Sequence, residues 1–363
     1  MPVMATVAAG TPTRADNRRA AGVTVRPFEA GDGARWDSFV ASCPGATFFH
    51  RAGWREIIED VFRHRACYVL AERNDDIVGV LPMAELSSRL FGHALVSLPF
   101  CVYGGPAAND EDASNALLAH AGRLARSLRV EYLELRNRAA LRADWPRQDL
   151  YVTFRKALAP EVDANMLAIP RKQRAMVRKG IKHGLQSRID ANSDTFFDLY
   201  ADNVHRHGTP PFPRRYFARL LEVFADSCEV LTVTTAAGKP VSGVISFNFR
   251  DEVLPYYAGD LAEARDTAAN DFKYWEVMRR ACERGVRLFD FGRSKRGTGS
   301  FDFKKNWGFE PTPLAYEYDL VTRSTIPQNN PMNPRYAAAI AVWRRLPRGL
   351  VNAIGPMLAR NLG

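Results

Sequence analysis

The densest set of groups able to act on a carbonyl or a phosphate lies between Leu288 and Glu310, LFDFGRSKRGTGSFDFKKNWGFE. Acyl transfer to an amine needs removal of a proton from the amine and positive charge or N–H donors on the developing oxyanion. Lys304, flanked by Phe303 and Trp307, is the first candidate for that charge, because aromatic neighbours exclude water and lengthen the reach of a cation. The competing reading makes it a surface lysine beside a core aromatic ladder, and Lys305 next to it could exchange roles. Arg293 follows a strand pattern ending at Phe291. Ligands commonly bind where loops leave strand ends, and a guanidinium can grip phosphate or carboxylate with two N–H groups. Asp290 alternates with Phe289 and Phe291, so it faces away from both and toward a cleft. No residue stands out as the general base.

Further candidates lie elsewhere. Tyr103 in LPFCVYGG and Tyr256 and Tyr257 in LPYYAGD occupy matching strand ends, suited to substrate contact or to the core. Pro170–Gly184, PRKQRAMVRKGIKHG, carries six Lys or Arg and no acid. Pro at its start and Gly at its end predict a helix. Arg171, Arg174, Arg178 and Lys182 fall three or four apart and share a face. Arg174 and Arg178 are the candidates there for phosphate contact, against the plain reading of a solvated linker. Arg206, His207 and Thr209 in NVHRHGTPPF form a candidate substrate loop; the alternative is an ordinary polar loop. His205 and His207 lack the further ligands of a metal site, and no metal is expected. GxGxxG after a strand, the P-loop, GxSxG and HExxH are all missing, which argues against the activities those motifs carry.

These groups are positioned by a duplication. WREIIEDVF matches YFARLLEVF; the hairpin pattern from Cys67 matches that from Cys228, with Gly79 and Gly243 in equivalent places; LPFCVYGG matches LPYYAGD. A helix then follows in each half, Glu111–Leu128 and Asp271–Arg284, and leads to a strand, Val130–Arg136 and Val286–Gly292. A period of about 160 residues means two copies of one domain rather than a solenoid. Alternation predicts half-buried antiparallel hairpins, and each strand–helix–strand ending predicts one parallel crossover. The expected fold is α/β: two tandem domains with mixed, mainly antiparallel sheets, joined by a short basic helix, in the element order of GNAT-type acyltransferases. The expected segments are a disordered leader (1–22), a first domain (23–160), the basic helix (161–184), a second domain (185–322) and a basic amphipathic tail (323–363).

The donor question turns on one loop. GNAT enzymes that use acyl-CoA hold its pyrophosphate with a glycine-containing loop at a helix N-terminus, where backbone N–H groups and the helix dipole attract the anion. The corresponding stretch here, GDLAEARDTAANDFKYWE, carries Asp260, Glu263, Asp266 and Asp271 and no glycine after Gly259; GGPAANDEDAS in the first copy follows its glycines with acids. No CoA loop is evident, and no cofactor is expected.

FGRSKRGTGSFDFKKNWGFEP resembles the C-terminal signature of the FemAB/FemX peptidyltransferase family, in which a glycine-rich segment precedes an aromatic-Lys-x-x-aromatic-Gly run, here Phe303, Lys304, Asn306, Trp307 and Gly308. YYAGD with NDFKYWEVMRRACERG is similar to the strand–loop–helix before that signature, and Arg174, Val177, Arg178 and Lys179 to the family's basic motif. LPFCVYGGP and HRHGTPPFP look like the branch found with exosortase and PEP-CTERM exopolysaccharide systems. The resemblance spans about residues 23–322. It implies two fused GNAT-like domains and aminoacyl transfer from aminoacyl-tRNA to an amine of a cell-envelope precursor, peptidoglycan or exopolysaccharide-linked, with Lys304 as the lysine associated with substrate phosphate and transition state. The long coiled-coil insertion of the staphylococcal members is missing. The alternatives are an acyl-CoA-dependent N-acyltransferase of exopolysaccharide synthesis and a GNAT-like scaffold that binds without turnover.

A formal charge of +10 favours polyanionic partners: aminoacyl-tRNA, a phosphorylated or lipid-linked precursor, or anionic lipid. Five cysteines without a CxxC pair read as reduced cytoplasmic thiols. No apolar run is long enough to span a bilayer. No acid follows Asp319, and in residues 334–363 Leu350, Ile354, Leu358 and Leu362 recur every fourth position among Arg344, Arg345, Arg348 and Arg360. Such a basic amphipathic tail suits peripheral contact with the cytoplasmic face of an inner membrane, or packing on the domains.

Overall fold

The computed structural model describes residues 22–88, 92–327 and 337–361; the leader expected at 1–22 lies almost wholly outside them, as does Leu362. Strand β1 (Thr24–Pro27) precedes helices α1 (Gly33–Ser42) and α2 (Gly53–Asp60), then β2 (Arg65–Ala66), β3 (Val69–Arg73), β4 (Asp76–Leu81), β5 (Ala84–Ser88) and β6 (Gly92–Val96). β7 (Ala107–Ala108), α3 (Glu111–Ser127) and β8 (Tyr132–Asn137) complete the first copy, and β9 (Arg147–Gln148), β10 (Tyr151–Ala157), α4 (Val162–Ala168) and α5 (Arg171–Lys182) lead to the second. That copy runs β11 (Gln186–Asp190), α6 (Asp194–His207), α7 (Arg214–Val223), β12 (Cys228–Thr234), β13 (Pro240–Phe249), β14 (Glu252–Asp260), α8 (Ala269–Glu283) and β15 (Leu288–Lys295). Helix α9 (Gly299–Asn306), β16 (Pro311–Pro313), β17 (Ala315–Leu320), α10 (Ala337–Trp343) and α11 (Arg348–Ala359) follow.

The duplication is visible in the pairing. The hairpins β3–β4 and β12–β13 are antiparallel, and each copy closes with one parallel pair, β6 with β8 and β14 with β15. Local chemistry sets the element ends. Asp110 caps α3 by accepting from the Ala113 N–H at 2.9 Å, with Glu111 and Asp112 in the positive first turn. The fold is therefore a mixed α/β, GNAT-like one, but the two copies are not built alike. The second holds one seven-stranded sheet, β11-β12-β13-β14-β15-β10-β16, whereas the first divides into β1-β3-β4-β7 and β2-β5-β6-β8-β17-β9.

The copies also exchange strands. β10, from before the basic helix, is inserted between β15 and β16 of the second sheet, and β17, from near residue 320, is inserted between β8 and β9 of the first. The sheets thus do not follow the linear division at 160 and 322.

Two expectations change in detail. Leu98–Gly105, matched in sequence to the strand LPYYAGD, is a buried loop; Leu98 and Phe100 have φ of +48° and +68°, incompatible with a strand. Its partner segment lies inside β14. The basic helix forms where the spacing predicts, but it packs on α8 instead of standing free as a linker. Gln173, Val177 and Gly180 form its buried face, and a Cβ at Gly180 would sit 2.8 Å from Phe272 Cβ.

A similar close approach seats α6 on the second sheet. A Cβ on Gly259 would lie 2.4 Å from the Tyr200 backbone nitrogen and 2.6 Å from the Leu199 carbonyl carbon. Backbone cannot yield as a side chain does, so Gly259→Ala must lift the helix from β14. The expected loss is about 3 kcal/mol, the upper end for overpacking, read from the urea midpoint of the purified variant.

Candidate active site

The site is organised by two irregularities in neighbouring strands. β14 and β15 pair in parallel only at Glu252↔Leu288 and Val253↔Phe289, although each strand continues well beyond. The two strands part after these residues, as the sheet opens into a wedge. On one side of the wedge the β13–β14 register slips so that Ile245 faces Tyr257 and Ser246 faces Pro255. Tyr256 is the extra residue of this bulge. The bulge brings the rings of Tyr256 and Tyr257 to 4.7 Å of each other, where regular alternation would send them to opposite faces.

On the other side β15 bulges against β10 between Thr153↔Arg293 and Arg155↔Asp290. Gly292 lies in this bulge with φ of +64°, a conformation glycine adopts without steric cost. Both of its backbone groups are held by side chains. Its N–H donates to Asp290 Oδ1 at 2.7 Å, and its carbonyl accepts from Lys304 Nζ at 3.2 Å.

Asp290 is fully buried and well partnered. It accepts from Tyr103 Oη at 2.9 Å, Thr153 Oγ1 at 3.3 Å and Arg155 Nε at 3.1 Å, and Arg155 also bridges to Glu252. A buried carboxylate needs such compensation. The alternation that was expected to aim Asp290 into a cleft aims it instead at β10 and the first copy's loop. Tyr103 shares this role, because its hydroxyl also bonds Thr153 Oγ1. Both are internal supports of the site.

Lys304, in the last turn of α9, is buried. Its Nζ donates to Gly292 O and, at 3.0 Å, to Arg293 O, and lies 5.8 Å from the Phe154 ring centroid and 6.0 Å from that of Phe291. Burial pulls its pKa down to about 7, with Asp290 opposing and Arg293 reinforcing the shift. The surface-lysine reading is excluded by this placement. Lys305 is exposed, so the two do not exchange roles.

Arg293 donates to Tyr316 Oη at 3.1 Å and stacks 4.4 Å from the Tyr151 ring centroid. Among the described residues neither it nor Arg138, which lies 5.9 Å from the Tyr103 ring, forms an ion pair with an acid. Lys295 follows on Tyr151 at 5.7 Å, its pKa lowered to about 8 by burial and then by Arg293. Arg136 stacks on the opposite partner, Tyr316, at 5.7 Å. Cations thus alternate with tyrosines along the seam where β15, β10 and β17 meet the first copy. Tyr151, Thr153, Arg155 and Tyr316 have no marker in the sequence, because strand exchange brings them in from distant positions.

The remaining candidates lie apart from Lys304 or serve packing. Tyr256 donates to Phe100 O at 3.0 Å and Tyr257 meets Tyr216 Oη at 2.9 Å, within an aromatic cluster joining the two copies. Arg174 donates to Leu167 O at 2.9 Å, and Arg178 is exposed. With Arg171, Lys179 and Lys182 they line a shallow cationic depression on α5. This helix abuts the end of α9: a Cβ on Gly308 would be 3.1 Å from Pro170, and Gln173 and Trp307 Nε1 share the Asp271 carboxylate at 3.1 and 3.0 Å. Arg206 pairs with Asp202 at 2.8 Å and reaches Asp260 O. His207 Nδ1 lies 2.7 Å from Asn203 O within its own helix. Thr209 donates its N–H to Val204 O while Gly208 donates to His205 O, with Gly208 at φ of +78°, so HRHGT is a helix C-terminal cap.

The loop before α8 corresponds to the position where other GNAT proteins hold pyrophosphate. Here Ala262–Arg265 form a 3-10 turn, Glu263 pairs with Lys239 at 2.6 Å, and Asp271 occupies the first turn of the helix. Asp260 pairs with the fully buried Lys273 at 2.8 Å.

Comparison with known proteins bears on the fold. The acetyltransferase (GNAT) domain family matches residues 171–305. The chain is similar to the crystal structure of FemX, with a TM-score of 0.63 at 15% identity, covering 80% of this chain and 97% of that one. It is similar to L-PGS from Bacillus licheniformis, with a TM-score of 0.53 at 11% identity over 92% and 99% of the two chains. A tandem GNAT protein from the clavulanic acid biosynthesis pathway gives a TM-score of 0.50 at 15% identity over 84% and 100%. No curated protein matches the sequence. The segment that carries α5, the wedge and Lys304 is the part that matches the GNAT domain family, and the fold of the chain is GNAT-like, similar to that of a tandem GNAT protein.

Proposed function

We propose that the protein is an acyltransferase that moves an aminoacyl group from aminoacyl-tRNA to an amine of a phosphorylated or lipid-linked cell-envelope precursor, working at the cytoplasmic face of a membrane. The observation that carries this reading is Lys304, a buried lysine held by the carbonyls of the β15 bulge at the edge of the wedge. In a water-poor site one such cation stabilises a tetrahedral oxyanion far more than it would in solvent. Arg293 and Arg138, free of acid partners among the described residues, supply charge for the phosphate or carboxylate of a substrate. The exposed cations of α5 give the donor's phosphates a surface on the element that abuts α9. The likeness to FemX, and to the C-terminal domain of a protein described as a putative lysylphosphatidylglycerol synthetase from Agrobacterium fabrum, with a TM-score of 0.55 at 14% identity over 79% of this chain and 92% of that one, supports the fold this chemistry needs.

The match to an acetyltransferase family favours a second reading, acyl-CoA-dependent N-acylation in exopolysaccharide synthesis. The α8 entrance weighs against it, since it has no glycine after Gly259 and carries Asp260, Glu263, Asp266 and Asp271. The two readings separate in one experiment. Purified protein is given charged tRNA with a radiolabelled amino acid and a peptidoglycan-precursor peptide bearing a free amine, and its melting temperature is measured with and without millimolar CoA. The expected result is labelled peptide and an unchanged melting temperature. A CoA-induced rise of several degrees without labelled peptide overturns the aminoacyl reading.

A further inference from the structure

The tail shows what covers one of its faces and leaves the other uncovered. Val351, Gly355 and Ala359, four apart, are the buried line of α11. Gly355 lies against Pro211, where a Cβ would meet the ring at 2.5 Å. His64 Nε2 reaches the Arg360 carbonyl at 2.6 Å, Arg344 Nη2 donates to His207 O at 3.1 Å, and Arg348 pairs with Asp202 at 3.3 Å. Trp343 is buried as well. Helices α10 and α11 are therefore docked on the body over α6 and the loop Gly208–Pro213. Packing on the domains and contact with a membrane appeared as alternatives in the sequence. The structure gives the packing to one face only.

Leu350 and Met357 are seven residues apart and so project from one side of α11, nearly opposite Val351, Gly355 and Ala359. Leu350 is 46% and Met357 69% exposed, Ala353 between them is exposed too, and Val342 on α10 is 61% exposed. A helix that merely packs on a domain presents a polar outer face. This one presents apolar side chains outward on a segment, residues 337–361, that has four arginines and no acid. No helix among the described residues is long and apolar enough to cross a membrane.

We infer that the outer face of the docked tail, Val342, Leu350, Ala353 and Met357 flanked by Arg345, seats the protein on an anionic lipid surface. The occupant follows from the pairing of apolar and cationic groups, because a shallow apolar insertion beside arginines matches the acyl–headgroup boundary of an anionic leaflet. Docking by the opposite face keeps the body fixed relative to the bilayer while the outer face inserts. The inference deepens the reading of the acceptor as a membrane-linked molecule and rests on it for its purpose, but binding itself requires no substrate.

The test is cosedimentation of the full chain with vesicles of phosphatidylcholine alone and of phosphatidylcholine with phosphatidylglycerol, without any donor or acceptor. The expected result is binding to the anionic vesicles, weakened by salt, and at least a tenfold loss in the double variant Leu350→Glu with Met357→Glu. Circular dichroism and gel filtration check that this variant keeps its fold, which the exposure of both side chains favours. Transfer to a water-soluble precursor peptide stays at the wild-type level, so a loss of vesicle binding with retained transfer separates this inference from the proposed chemistry. Equal binding of wild type and variant overturns it, and so does failure of the wild type to bind. A wild-type dimer that the double variant abolishes, with no vesicle binding, assigns the face to a second copy of the chain and overturns the lipid assignment.

Discussion

Lys304→Met is expected to lower the turnover of acyl transfer by about 10²–10³-fold, the range found when a single oxyanion donor is removed, with little change in the KM of the acceptor. Methionine matches the length of the lysine stem and suits its apolar surroundings of Phe154 and Phe291, so the fold should persist. The pH profile carries the same information independently. With burial holding the Lys304 pKa near 7, the protonated fraction falls as pH rises through that value, and the wild-type rate should decline on an alkaline limb with its midpoint there. The acceptor amine must lose its proton, which gives a rising limb at lower pH and a bell overall. Stability moves the other way. Between about pH 7 and the ordinary lysine range the unfolded chain binds a proton that the folded chain does not, so this group makes the fold more stable with rising pH across that window. A variant that transfers at the wild-type rate, or a wild-type profile flat through pH 7, removes Lys304 from the chemistry.

Asp290→Ala should be the costliest substitution of a polar residue at the site. It strips the acceptor from Tyr103, Thr153, the Gly292 N–H and Arg155 together. Removing one partner of a buried charged pair costs about 3–5 kcal/mol, and the lower end is expected because Arg155 keeps Glu252 and some exposure to solvent. Asp290→Asn retains an acceptor oxygen and the volume, and should lose roughly half as much if the hydrogen bonds outweigh the ion pair. Denaturant midpoints of the two variants measure this. Loss of less than about 0.5 kcal/mol in Asp290→Ala, the level of an ordinary surface change, would show that the network does not hold the bulge.

Much of the architecture is legible in the sequence because it depends on local periodicity. The hairpins at Cys67 and Cys228, the helices at Glu111 and Asp271, and the basic helix between Pro170 and Gly184 all form where spacing and end residues place them. What escapes is what depends on distant partners. LPFCVYGG and LPYYAGD share residues, yet one is a loop held in left-handed turns and the other a bulged strand, and the two meet where Tyr256 Oη bonds the first at Phe100 O. Asp290 alternates correctly with Phe289 and Phe291, but periodicity tells only that it leaves their face, and the side chains of Tyr103, Thr153 and Arg155 occupy the other one. Lys304 stands out by its aromatic neighbours, whereas Tyr151 and Tyr316, which stack on Arg293, belong to short strands whose sheet position no local pattern encodes. Arg206, His207 and Thr209 look like a polar loop with chemistry in it and are a helix cap, a case in which turn residues and site residues have the same composition.

The strand exchange sets a condition on synthesis. A nascent chain emerging in order presents β8 with one long flank unpaired until Ala315–Leu320 has been made, and β10 waits for β15 before it has a neighbour. The first half cannot be completed until nearly all of the second has been made, and the open edges stay available for wrong pairing during that interval. A chain cut short before residue 311 therefore lacks a strand in each of two sheets, since β16 and β17 are lost together. Premature termination shortly before residue 311 should yield aggregates rather than a working first domain, while the two copies, once closed, hold each other as a clasp with one tongue in each jaw.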